Sequence, residues 1–243
     1  MEKVSTMNSQ GIKWTKVVES VTKRQINSLR NSLFKLNSGS VEYPRFHSQF
    51  GEDRYIYKNI DLPAKGVFVD VGAGHPTYLS NTYFFEKNGW TGICIDADPT
   101  QCELLQQERA TVEWAAISSQ EGKVEFAQSY FPSYSSTVEQ AEKGYFRVPL
   151  KEVIKVPSYH LETILQKHRI GQIDLLDIDV EGSEIDVWKT LDYEKHKPKV
   201  VIIEYYTFGL DNDANRIKAF FEKLPYRLVH TTCTNFIFVN TSL

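Results

Sequence analysis

Between Val67 and Glu204 the chain repeats one pattern: a short apolar run ending in a carboxylate, then a turn, then a segment of helical period. VFVDV at 67–71, GICID at 92–96, IDLLDID at 173–179 and VVIIE at 200–204 are such runs. Runs of this length, rich in β-branched residues, read as strands covered on both faces. The segments between them place apolar residues three and four apart, as buried helix faces require. Strand, helix and strand in succession imply right-handed crossovers and a largely parallel sheet.

Helices are expected at Thr77–Asn88, Pro99–Arg109, within SYHLETILQKH at 158–168, and at Ser183–Leu191 and Ala214–Leu224. Thr111–Ile117 and Val124–Phe126 extend the strand pattern, and Tyr226–Thr231 with Asn235–Val239 reads as a terminal hairpin. The fold class is therefore α/β and Rossmann-like: one mixed, mostly parallel sheet of about seven strands with helices on both faces. Ahead of it, residues 17–36 have the spacing of one amphipathic helix, and NSGS at 37–40 breaks that spacing. Residues 1–45 read as a helical extension and linker, and 46–243 as the main domain. From Ala127 to Val156 periodicity fades and turn residues accumulate, which suits a substrate-side insertion.

Composition narrows the partners. A formal charge of −3 over 243 residues disfavours broad capture of nucleic acid. The basic residues of the first helix, Lys16, Lys23, Arg24, Arg30 and Lys35, suit a solvated face. Three scattered cysteines form neither a CxxC pair nor a disulfide framework. With a polar start and no membrane-length apolar run, a cytoplasmic location without a membrane partner is expected. Monomer and homodimer both fit.

Asp70-Val71-Gly72-Ala73-Gly74 closes the first strand, and closely spaced glycines let a backbone turn tightly beside a ligand. The dinucleotide fingerprint is incomplete, because Thr77 follows His75 and Pro76 where that pattern needs a third glycine. Asp96 ends the next strand, where a carboxylate can accept both hydroxyls of a ribose. Asp98 is placed to cap the helix that starts at Pro99.

These segments resemble the FkbM family of class I S-adenosylmethionine-dependent methyltransferases. The resemblance runs through HSQFGED at 47–53, VFVDVGAGHPTYLS, ICIDADP, WAAISSQEG, IDLLDIDVEGSEIDVWK and VVIIEYY. It implies S-adenosyl-L-methionine near Asp70, Gly72, Gly74 and Asp96, with Trp114, Ala115 and Ala116 beside the adenine. It also implies that Gln49 and Glu52 fold over the cofactor.

Asp177-Ile178-Asp179-Val180-Glu181-Gly182 ends a later strand, where ligands gather in open α/β sheets. Its carboxylates can surround a methyl acceptor or a divalent cation, or serve as turn and capping groups. In the family this stretch resembles, a lysine commonly stands where this chain has Asp177, a departure that puts acceptor and activity in question. We count Asp177 among the cofactor-site residues, Asp179 as acceptor orienter or base, Glu204 as its companion and His75 as a second candidate base. Oxygen ligands at Asp179, Glu181 and Glu204 suit Mg2+ or calcium, and no cysteine-histidine cluster suits structural zinc.

The resemblance implies methyl transfer to a hydroxyl oxygen of a glycan, nucleoside or small natural product. A nucleic-acid methyltransferase, a nicotinamide-dependent oxidoreductase and a cofactor-binding protein without turnover are the competing readings. The aromatic stretch Tyr130–Tyr145 is a candidate carbohydrate platform.

Overall fold

Alternate side chains of the central strands point to opposite faces, and both faces are apolar, so the sheet must sit between two helical layers. A computed structural model describes residues 45–130, 135–138, 150–206 and 214–243. The amphipathic helix at 17–36, the NSGS linker and most of the aromatic stretch 130–145 lie outside them. Arg45–Leu243 forms one unit.

The main sheet has seven strands: β1 (Val67–Val71), β2 (Thr91–Asp96), β3 (Val112–Trp114), β8 (Leu175–Ile178), β9 (Val200–Glu204), β10 (Tyr226–Thr231) and β11 (Asn235–Asn240). Their order is β10-β11-β9-β8-β1-β2-β3. Only β11 runs against its neighbours. This is the Rossmann-like arrangement expected from the sequence.

Val69, Val71, Ile93, Ile95, Leu176, Ile178, Val201 and Ile203 face one core. There they meet α4 (Leu161–Lys167), α5 (Glu184–Lys189) and α7 (Ala214–Phe221). Phe68, Cys94, Leu175, Val200 and Ile202 face the other core, against α1 (Glu52–Asn59), α2 (Tyr83–Lys87) and α3 (Pro99–Glu108). A short α6 (Tyr193–His196) precedes β9.

Two expectations change. The helix expected over Thr77–Asn88 is confined to Tyr83–Lys87. Leu79 adopts φ +62, and the amides of Thr77 and Tyr78 donate to His75 Nδ1 at 3.2 and 3.0 Å instead of to helical carbonyls. Ser80 Oγ accepts from the Tyr83 amide at 3.1 Å and starts the helix late.

The run Thr111–Ile117 breaks at Ala115, whose amide donates to Asp96 O at 2.9 Å. Its second half, β4 (Ala116–Ile117), leaves the main sheet. It joins a four-stranded sheet with β5 (Gly122–Ser129), β6 (Ser136–Thr137) and β7 (Leu150–Tyr159), in the order β4-β7-β5-β6. Val124–Phe126 therefore belongs to this second sheet, paired antiparallel with β7, and the expected insertion supplies β6 and most of β7. Ser158 and Tyr159, expected in a helix, complete β7. Their register depends on pairing partners about forty residues away, Gly122, Ala116 and Ile117, which a local period cannot encode.

Candidate active site

The chain leaves β1 towards β2 and β3, then returns to place β8 on the other side of β1. This reversal is the switch point at which ligands sit beyond the carboxyl ends of parallel strands. Strand parity decides what stands there. Asp70 follows Phe68, Asp96 follows Cys94, Asp177 follows Leu175 and Glu204 follows Ile202, each two residues on, so four adjacent strands carry carboxylates on the same face. The register sets Asp70 opposite Asp177.

After β1 the backbone turns through Gly72 at φ +84 and Gly74 at φ +56. The Gly72 amide donates to Ile95 O at 2.9 Å, and the Gly74 amide donates to Asp96 Oδ2 at 2.7 Å. A Cβ on Gly72 would lie 1.7 Å from the carbonyl oxygen of Asp179, so the glycine turn lies directly against the β8 end. A Cβ on Gly74 would meet nothing nearer than 3.9 Å and would project into open space. Asp96 Oδ1 accepts from the Asp98 amide at 2.8 Å, and burial pushes the Asp96 carboxyl up to about 7. Asp98 caps α3 through Thr100 N at 2.8 Å, as its position in the sequence suggests.

At the β8 end the Asp179 amide donates to Val71 O at 2.9 Å, continuing the ladder one step past the strand. Glu181 sits in the left-handed region at φ +58, and this bend carries its carboxylate back towards the sheet. One oxygen each from Asp179, Glu181 and Glu204 lie within 4.8 Å of one another. Burial raises Asp179 to about 6, with a hydrogen bond to Glu204 holding it down. Burial, then the charge of Asp179, holds Glu204 well above the usual carboxylate range. Within the pair, the hydrogen bond favours the proton on Glu204 and the charge on Asp179. Asp177 is also raised well above its ordinary value, first by burial and then by Asp70. Its Oδ2 accepts from Asn81 Nδ2 at 3.0 Å.

The pattern of the methyltransferase FkbM domain matches residues 70–228. The chain belongs to the FkbM methyltransferase family. Comparison with curated proteins finds no match. A chain in a solved fibrillarin/Nop5p complex aligns at 11% identity and a TM-score of 0.39, over 83% of this chain and 89% of that one, a likeness too weak to carry an argument.

In this methyltransferase the remaining expected residues take varied places. Gln49 is exposed. Glu52 is fully buried; Oε2 accepts from the Phe50 amide at 2.9 Å, and Oε1 accepts from Thr232 Oγ1 at 2.8 Å and Asn235 Nδ2 at 3.0 Å. It ties α1 to the terminal hairpin. Trp114 is 42% exposed at the end of β3, with its indole N–H donated to Ala97 O at 3.0 Å, while Ala115 and Ala116 are buried beside it. His75 is exposed, and because Nδ1 accepts two amides the neutral ring carries its proton on Nε2. In that state it offers a donor and has no spare lone pair with which to act as base.

Sequence reasoning missed the groups that hold the site from behind. Arg109, with a fully buried side chain, bonds to Glu86, to Thr82 Oγ1 at 2.7 Å, to Pro76 O at 3.2 Å and to Ser80 Oγ at 3.3 Å. It also lies 3.9 Å from Asp70 Oδ2, which accepts the Thr82 hydroxyl. Asp70 is thus committed to a structural ion pair. Glu184 was missed too: it accepts from Gly182 N at 2.7 Å, and burial raises it to about 7.

These buried carboxyls set a pH dependence. Asp96 and Glu184 near 7 and Asp179 near 6 bind protons more tightly folded than unfolded. Stability from them is fullest at acid pH and is lost as pH rises through 6 to 7. His47 and His75, lowered by burial, act in the opposite direction but are fewer and only partly covered. In buffer with a chelator, melting temperature should be higher at pH 5.5 than at pH 8; a curve that rises with pH would refute this assignment.

No helix among the described residues is long and apolar enough to cross a membrane.

Proposed function

We propose that this methyltransferase uses S-adenosylmethionine and methylates a hydroxyl oxygen of a glycan, nucleoside or small natural product. One observation carries the reading: the glycine turn at Gly72 rests against the main chain of Asp179. The turn suited to the cofactor is therefore packed against the backbone of the residue whose carboxylate suits the acceptor. The residues fit the cofactor. Gly74 opens to a space that no Cβ fills, and Asp96, beside it, keeps acceptor capacity beyond the two amides it binds.

S-adenosylmethionine, when bound, supplies a methyl group made electrophilic by a sulfonium. Asp96 would take the ribose hydroxyls, and the exposed indole of Trp114 offers a face to the adenine. Asp179, held towards its charged form by the hydrogen bond with Glu204, would accept the proton of the acceptor hydroxyl as the new C–O bond forms and the bond from the methyl carbon to sulfur breaks, its electron pair leaving with the sulfur. Glu204 donates a hydrogen bond to Asp179 and fixes its direction. Alignment of acceptor oxygen, methyl carbon and sulfur completes the requirement, and no covalent enzyme intermediate is needed.

Calorimetric titration of cofactor-stripped protein with S-adenosylmethionine, in chelator, tests the reading. Saturable binding is expected for the wild type. Asp96→Asn, checked for folding by its melting curve, should bind about ten- to a hundredfold more weakly, as loss of charged hydrogen bonds to the ribose implies. Folded wild-type protein that does not bind would overturn the proposal.

A further inference from the structure

Strand β5 begins in solvent and ends covered. Gly122, Lys123 and Glu125 are exposed, whereas Phe126, Ala127, Gln128 and Ser129 are all buried. Gln128 is 3% exposed, and an amide donor shielded to that degree must find an acceptor. Its Nε2 donates to Asp98 Oδ1 at 2.8 Å. Strand parity explains the reach. Phe126 shares a face with Gln128 and lies in a core with Ala116 and Val156, against which Ala97 packs, so the next side chain on that face meets Asp98. The register with β7 shifts between Gln128 and Ser129, and such irregularities re-aim side chains.

Asp98 passes this contact on to Asp96. Its Oδ1 accepts from Thr100 N as well as from Gln128, both at 2.8 Å, so donors from two elements fix its side chain. Its own amide donates to Asp96 Oδ1 at 2.8 Å, and the Gly74 amide donates to Asp96 Oδ2 at 2.7 Å. Each carboxylate oxygen of Asp96 thus holds one main-chain donor and retains acceptor capacity for a second. The peptide between the two aspartates is held as well: the Trp114 indole donates to Ala97 O at 3.0 Å and the Ala115 amide to Asp96 O at 2.9 Å. A carboxylate that receives two adjacent hydroxyls must keep its plane, because hydrogen bonds weaken steeply as they leave alignment.

Thr100 belongs to the helix that Asp98 starts, so its contact is local. Gln128 comes from the second sheet, thirty residues along the chain, and ties that sheet to the loop that carries Asp96. We propose that Gln128 is a positioning residue for the cofactor: through Asp98 it holds the Asp96 carboxylate in the orientation that receives the ribose hydroxyls. This role rests on the S-adenosylmethionine reading. It gives the segment Ala127–Val156, expected on the substrate side, a part in holding the cofactor.

Calorimetric titration of full-length wild-type and variant protein with S-adenosylmethionine is the test, with folding checked by melting curves. Gln128→Met keeps the length of the side chain and removes the donor; it should weaken binding about tenfold, the effect of one hydrogen bond to a charged group. Gln128→Asn holds its amide one methylene short of Asp98 and should do the same, which covers a failure of the methionine variant to fold. Glu152→Gln, opposite Gln128 in the register with β7 and exposed, should bind as the wild type does.

Coupling to Asp96 separates positioning from a structural role confined to the second sheet. A structural role would add its loss in full to that of Asp96→Asn. Action through Asp96 predicts that Gln128→Met combined with Asp96→Asn binds within about threefold of Asp96→Asn alone. Wild-type affinity in folded Gln128→Met or Gln128→Asn would overturn the proposal. So would a double variant about tenfold weaker than Asp96→Asn, or too weak to measure where Asp96→Asn is measurable. Folded wild-type protein that does not bind at all would overturn the S-adenosylmethionine reading, and this role with it.

Discussion

Replacing Gly72 with alanine should cost about 3–5 kcal/mol of stability and lower the melting temperature by about 10 °C. The new methyl group would lie 1.7 Å from Asp179 O and 2.7 Å from Asp179 C. Relief would require movement of one of two anchored backbones. The Gly72 amide is bonded to Ile95 O and the Asp179 amide to Val71 O, both at 2.9 Å. The left-handed φ of +84 adds strain that glycine avoids. Gly74→Ala is the informative contrast. Its Cβ meets nothing within 3.9 Å, so the loss should be limited to the backbone term of about 1–2 kcal/mol. The methyl group would nevertheless enter the proposed cofactor space, and binding should fall more than stability does. Thermal melts paired with cofactor titrations separate the two; equal melting temperatures for both variants would contradict the packing described.

The second large effect should follow from Arg109→Met, which keeps the length of the side chain and removes its charge. Asp70 and Glu86 would be left without their cation, and a buried pair broken on one side typically costs about 3–5 kcal/mol. Pro76, Ser80 and Thr82 would lose their shared donor at the same time, releasing the segment that carries Asn81 towards Asp177. Denaturant unfolding is the direct measurement. Adding Asp70→Asn to Arg109→Met should recover part of the loss, because the uncompensated carboxylate is then gone. Strict additivity of the two substitutions would show that Asp70 and Arg109 do not act as a pair.

The legibility of the site follows the range of its interactions. Asp98 was readable as a cap because its partner, Thr100, is two residues away. Asp96 and Glu204 were readable because each ends an apolar run, and a strand's parity is local. Glu52 was not: its carboxylate is satisfied by Thr232 and Asn235, about 180 residues further along, where no spacing in the sequence points. Arg109 entered the sequence reading only as the last residue of an expected helix, although its burial and partners make it a centre of the fold. His75 looked like a base until its Nδ1 was found to accept the amides of its own turn.

The sequence by itself determined the α/β class, the carboxylates at the strand ends and the glycine turn, because period, β-branching and glycine placement act within a few residues. Only the tertiary structure decided which strands are neighbours, that β4, β5, β6 and β7 form a separate sheet, and that Gly72 touches Asp179. It also decided the charge states. Asp96 near 7 and Asp179 near 6 arise from removal of water and from neighbours brought together by folding, and a linear chain contains neither.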